Sequence, residues 1–253
     1  MRNALAAFFI KLGARIQNYG YCLTNPSYLK VRSGLGCADI YRLLNKNWFP
    51  KDKIQLVLDV GANEGQFVNT ALALLPNTPI YAFEPNPNLL ENLHDRYGNL
   101  NVKIFPFALG DNPQKALLNI SKFSPASSLL KGGSQLSTEF PEVVFEELAE
   151  IEIKRLDSLV IDSEAKDFLL KIDVQGFEMD VLRGAVGVFD RILVIICEAN
   201  FASLYENQCT FEEITSFLRT HNFHLVDIGN PIRSHYNQEI LYLDLAFVKE
   251  VSF

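Results

Sequence analysis

From Ile54 onward the chain alternates short, nearly unbroken apolar runs with stretches of helical period. The runs Ile54 to Asp59, Ile80 to Glu84, Phe168 to Asp173 and Arg191 to Cys197 have the length and continuity of strands buried on both faces of a parallel sheet. Helix-period stretches over about 64–75 and 87–97 separate the first strands, and such alternation implies right-handed crossovers. Val102 to Leu109 predicts a third strand, and Ala116 to Ile120 either extends the sheet or forms a small hairpin. Ile151 to Leu156 alternates polar and apolar residues, the mark of a half-exposed strand. After a helix from about Phe211 to His221, two runs, His224 to Ile228 and Leu241 to Val248, are joined by a polar loop, which predicts antiparallel pairing. The fold class is α/β, a mostly parallel sheet that ends in an antiparallel hairpin.

Two segments depart from this rhythm. Residues 1–50 read as an N-terminal helical cap region punctuated by Pro26, Gly34 and Gly36 and closed by Trp48-Phe49-Pro50, ahead of a main domain over 51–253. Its first stretch, Ala4 to Ile10, is too short to span a bilayer and predicts an amphipathic helix that docks on the main domain or on a neighbouring subunit of a homo-oligomer, with peripheral membrane contact as the minority alternative. Ser121 to Thr138 holds turn chemistry without periodicity, which suits a lid over a site or an idle surface loop equally.

The chemistry begins where the first strand ends. Leu56 to Val60 runs into Gly61-Ala62-Asn63-Glu64-Gly65, and glycines there let backbone approach a ligand. Glu84 closes the next strand roughly twenty residues further on, where a carboxylate can hold ribose hydroxyls. The turn lacks the Gly-x-Gly-x-x-Gly spacing that seats a pyrophosphate, so NAD and FAD are disfavoured. Asp59 and Glu64 bracket it with negative charge, which repels phosphates and suits the sulfonium and ammonium of S-adenosylmethionine. The bland alternative makes Asp59 and Asn63 helix caps.

Composition narrows the partners. The 253 residues suit one domain with an extension, and a net charge of -7 without a Lys/Arg block argues against nucleic acid. A small molecule or glycan is the expected acceptor. Cys22, Cys37, Cys197 and Cys209 show no C-x-x-C spacing, consistent with reduced thiols in a cytoplasmic protein.

Several motifs occur together in one order: Asp59 to Gly65, Phe83-Glu84-Pro85-Asn86-Pro87, Ala108-Leu109-Gly110, Ser127-Ser128-Leu129, Leu156-Asp157-Ser158-Leu159, Leu170 to Glu178 and Val181 to Ala185. Over about 54–248 they resemble the FkbM family of S-adenosylmethionine-dependent methyltransferases. The resemblance implies a Rossmann-like class I methyltransferase fold with a seven-stranded sheet. It also implies that Asp59, Gly61, Asn63 and Gly65 line the methionine side of the cofactor, that Glu84, followed by Pro85, holds the ribose and that Ala108 lies near the adenine. The implied reaction is O-methylation of a sugar, polyketide or glycolipid-like acceptor. Gln175 stands where the family often has Glu, and Asn200 follows Glu198 where His is common.

Methyl transfer to a hydroxyl needs alignment of the reactants and a base. Asp173 is the leading candidate because it ends a central strand beside the expected methyl group, and Lys171 points to the same face. The alternative makes Asp173 a cap for the helix opening near Phe177. Glu178 either complements that helix dipole or has a functional role. Glu198 with Asn200 orients the acceptor or, with Asp173, ligates a divalent cation, the less favoured arrangement, and no metal ligand is assigned. His235, a lone loop histidine, is the weaker alternative base, and Asp157 reads as a turn or cap residue. The rival functions are a catalytically silent cofactor-binding scaffold and a nicotinamide-dependent oxidoreductase.

Overall fold

The computed structural model describes residues 20–159 and 165–250, so the Ala4 to Ile10 segment lies outside the described residues. Residues 20–24 are helical, and α1 (Pro26–Ser33) and α2 (Ala38–Leu44) follow. Then come β1 (Leu56–Val60), α3 (Gln66–Leu74), β2 (Ile80–Phe83), α4 (Pro87–Tyr97), β3 (Val102–Phe105), β4 (Ala108–Leu109) and β5 (Gln114–Ser121). The chain continues through α5 (Ser134–Glu139), β6 (Phe145–Lys154), β7 (Phe168–Ile172), α6 (Glu178–Gly184), β8 (Ile192–Asn200) and α7 (Phe211–Thr220). It closes with β9 (Phe223–Ile228), β10 (Ile232–Arg233) and β11 (Ile240–Lys249).

The main sheet runs β3-β2-β1-β7-β8-β11, with β9 and β10 both pairing along the outer side of β11. It therefore has seven strand positions, all parallel up to β8, and β11 is antiparallel to β8 and to β9. This is the expected sheet with its closing hairpin. Every residue of β1, β7 and β8 is buried, which accounts for their unbroken hydrophobic runs. One face packs against α6 and α7 through Leu58, Leu170, Ile195 and Ile214. The other packs against α1, α2 and α3 through Val57, Tyr28, Ile40 and Phe67, so the N-terminal helices share the central core.

Two expectations change. The single strand over Val102 to Leu109 is broken at Pro106, which has no N–H for the ladder: β3 stays in the main sheet, while β4 joins a second sheet, β4-β6-β5. Ala116 to Ile120 belongs to β5 in that second sheet, antiparallel to a β6 longer than the alternating run suggested.

Ser121 to Thr138 carries regular structure despite its turn chemistry. It contains a 3-10 turn at Ser124–Ala126 and the helix α5. Gly133 N–H donates to Leu204 O at 2.7 Å, Glu206 N–H donates to Lys131 O at 2.8 Å, and Asn119 bridges to Ser128. These bonds tie a segment without periodicity to remote strands and loops.

Candidate active site

The order of the central strands reverses between β1 and β7, the position at which an open parallel sheet binds ligands. The turn after β1 is drawn toward β2, because Gly61 and Ala62 both donate their amides to Phe83 O at 3.1 Å. Gly61 has φ of +79°, and a Cβ there would collide with the Asp173 carbonyl, so both its conformation and its position require glycine. Gly65, at φ of +88°, begins α3 and packs under the Tyr97 ring.

Glu84 closes β2 and reaches back to this turn. Its Oε2 accepts the Asn63 amide at 2.7 Å and its Oε1 the Asn86 amide at 2.8 Å. Each carboxylate oxygen keeps a further acceptor site. Burial pushes the Glu84 pKa up to about 7 against the pull of those two amides. Asn63, at φ of +49°, accepts from Ser124 Oγ at 3.1 Å, so the turn also touches the segment above it.

Asp59, Lys171 and Asp173 lie on one face of adjacent strands because β1 and β7 pair Asp59 with Lys171. Lys171 Nζ is 3.5 Å from Asp59 Oδ1, 3.4 Å from Asp173 Oδ2 and 3.3 Å from Gly61 O. Burial pulls the Lys171 pKa down, but Asp173 and Asp59 outweigh it and hold the ammonium charged. Burial pushes Asp59 up to about 6, with Lys171 opposing. The ion pair to Lys171 is long, and both Asp59 oxygens lack a hydrogen-bond partner. Asp59 is fully buried and lies behind the turn, outside the lining of the cavity in front of it.

Asp173 and Glu198 are joined by a residue that stood out in the sequence only as a family departure. Gln175 Nε2 donates to Asp173 Oδ1 at 2.8 Å and to Glu198 Oε1 at 3.1 Å, and its Oε1 accepts from the Tyr205 hydroxyl at 2.8 Å. The Gln175 carbonyl accepts from Ser128 Oγ at 2.7 Å. Tyr205 Oη is also 3.2 Å from Ala126 O, so this hydroxyl and Ser128 connect the 121–138 segment to the carboxylates. Burial, then the charges of Asp173, Glu178 and Asp244, raise the Glu198 pKa well above the usual carboxylate range.

Several of these groups line a cavity of about 240 Å³, from which Asp59, Gly65 and Tyr205 are set back. Gly61, Asn63, Glu84, Pro85, Ala108, Lys171 and Asp173 line it, joined by Cys37, Gln66, Phe67, Ser124, Pro125 and Ser127 to Leu129, and Ala108, Leu109, Leu118, Leu129 and Phe177 give it an apolar slot. Glu198 lies outside that lining and reaches it through Gln175. Asp173 is no helix cap: Phe177 precedes α6 without a side-chain cap, and Glu178 accepts the amides of Val174 and Gly176 instead. Glu198 is not the last residue of its strand, since β8 continues to Asn200. Asp157 is held by Arg155 and Gly187 and so serves structure, while the His235 backbone amide donates to Glu139. Tyr205 and Cys37 carried no local signal, because Cys37 lines the cavity and Tyr205 reaches Gln175 from distant stretches of chain.

The strand order and the cleft at the carboxyl ends of β1, β2 and β7 define a class I methyltransferase. The model of the "Methyltransferase FkbM domain" matches residues 59–225, and the chain belongs to that family. It is 26% identical over 219 residues to 2-O-methyltransferase NoeI of Sinorhizobium fredii, covering 83% of this chain and 85% of NoeI. Hexuronic acid methyltransferase AglP of Haloferax volcanii is 26% identical over 172 residues, covering 67% of this chain and 64% of AglP. The fold resembles the crystal structure of methyltransferase FkbM from Methylobacillus flagellatus KT, with a TM-score of 0.50 and 14% identity over 77% of this chain; the chain spans only 44% of that longer protein. Among the described residues no helix is long and apolar enough to cross a membrane.

Proposed function

We propose that this methyltransferase uses S-adenosylmethionine to methylate a hydroxyl of a sugar, glycan or glycolipid-like small molecule. The observation that carries the cofactor assignment is the pairing of Asp59 and Glu84 around the Gly61 to Gly65 turn. Asp59, set behind the turn and ion-paired with Lys171, adds negative charge suited to an ammonium, Glu84 keeps acceptor sites for ribose hydroxyls, and Ala108 belongs to the apolar slot that suits a purine. Bound there, the cofactor supplies a methyl group on a positively charged sulfur.

The chain's own part is to hold the acceptor in line and take its proton. Asp173 faces the cavity and remains partly accessible, and Lys171 keeps its charge compensated. Transfer of the methyl group would form the oxygen–carbon bond as the carbon–sulfur bond broke and the neutral thioether left; Asp173 is the group placed to take the hydroxyl proton, and Gln175 couples that carboxylate to Glu198. The names of NoeI and AglP, a 2-O-methyltransferase and a hexuronic acid methyltransferase, support oxygen as the methylated atom and a sugar as the acceptor.

Calorimetry with S-adenosylhomocysteine and with NAD, followed by labelled methyl transfer to a glycan and glycolipid panel, tests this reading. Binding of S-adenosylhomocysteine alone, with label recovered as an alkali-stable ether, is the expected outcome. Binding of NAD, or label on nitrogen or carbon, would overturn it.

A further inference from the structure

The side chain of Asn200 is 2% exposed, yet neither its Nδ2 nor its Oδ1 has a hydrogen-bond partner. A buried carboxamide with both ends unsatisfied is rare and calls for an explanation. Its place in the sheet supplies one. Asn200 and Glu198 share a face of β8, and the antiparallel register sets Tyr242 opposite Asn200 and Asp244 opposite Glu198. The parallel register of β7 and β8, which pairs Ile172 with Cys197, brings Asp173 alongside Glu198 on that face. Tyr242 and Asp244 are half-buried, and no hydrogen bond among the described residues engages the Tyr242 hydroxyl or the Asp244 carboxylate.

We infer that Asn200, Tyr242 and Asp244 form the acceptor subsite and that they select an uncharged polyhydroxyl ring over a uronate or a phosphorylated sugar. This rests on the hydroxyl-methylation reading. An amide with a free donor beside a free acceptor is matched by a pair of neighbouring hydroxyls, each able to give and to accept a hydrogen bond. The Tyr242 hydroxyl and the Asp244 carboxylate extend the same kind of contact. An anionic acceptor would meet the Asp173 and Asp244 carboxylates together, and Lys171, the cation acting on Asp244, is already shared by Asp59, Asp173 and Gly61 O. Like charges at such short range in a buried site oppose binding strongly.

The test uses the full chain loaded with S-adenosylhomocysteine and saturation-transfer NMR with methyl glycosides of gluco, galacto and manno configuration against methyl glucuronide. At least one neutral glycoside should bind about tenfold or more tightly than the uronide. Asn200→Leu should weaken neutral binding by about tenfold or more, the size of a lost buried hydrogen bond, while leaving S-adenosylhomocysteine affinity unchanged. The melting temperature of unliganded Asn200→Leu should hold or rise, because an unsatisfied amide is replaced by an apolar group of similar volume. Should that variant not fold, Asn200→Asp keeps the shape, adds a negative charge and should weaken binding of the neutral ring as well. Equal binding of the uronide, retained glycoside binding in the variant, or a lowered melting temperature with binding retained would overturn the subsite. In those cases label on a sugar hydroxyl would leave the methyl-transfer reading standing. If no glycoside binds and the label appears on nitrogen or carbon, both readings fall.

Discussion

Gln175 donates to Asp173 at 2.8 Å, and the same amide nitrogen reaches Glu198, so one neutral side chain separates two carboxylates at the edge of the sheet. The amide supplies donors where a carboxylate would add a third negative charge. Gln175→Glu should therefore set a third carboxyl against Asp173 and Glu198 and move the acid limb of the pH–rate profile upward by about one unit or more. A profile that kept its shape while turnover alone fell would reduce Gln175 to a packing residue.

Asp173→Asn keeps shape and removes charge. Turnover should fall on the order of 100-fold with cofactor affinity little altered, read by single-turnover transfer to a verified acceptor. Near-normal transfer by this variant would end the base assignment.

Glu84→Ala should weaken S-adenosylhomocysteine binding by about 1–3 kcal/mol, because it removes charge-assisted hydrogen bonds to the ligand and releases the Asn63 amide that shapes the turn. Calorimetry showing unchanged affinity would remove Glu84 from the site.

Burial pushes Glu84 and Glu178 up to about 7 and Asp59 and Asp244 up to about 6. A carboxyl that binds its proton more tightly folded than unfolded contributes fully below its unfolded pKa, near 4, and loses that contribution as pH rises through the folded value. The melting temperature of the unliganded protein should therefore fall between about pH 4 and pH 8, and Glu84→Gln should flatten that slope. Scanning calorimetry that found stability rising across this window would contradict the burial of these groups as acids.

Gly61→Ala should cost about 1–3 kcal/mol from the left-handed backbone alone, and its Cβ would also collide with the Asp173 carbonyl. Denaturant unfolding should show the loss, together with abolished S-adenosylhomocysteine binding. A variant that bound normally would mean that the two loops can separate without consequence for the site.

The chain's local patterns determined much of this protein. Continuous apolar runs announce β1, β7 and β8 because a parallel strand buried on both faces has no polar side, and the acidic turn after β1 with Glu84 after β2 is legible because both features lie within a few residues of strand ends. Asp173 and Lys171 were placed on one face by alternation alone. The tertiary structure decided what depends on contacts between distant stretches of chain. Pro106 divides one apolar run between two sheets, and Ser121 to Thr138 is secured by backbone bonds to Leu204 and Glu206, far away in sequence. Tyr205 reaches Gln175 from its own loop, and Asn200 meets Tyr242 only through the register of β8 and β11. Hydrophobic period and turn chemistry act over a few residues and remain visible in a linear string. Strand register and buried polar pairing are set by packing across the whole domain, so the second half of the site emerges only when the sheet closes.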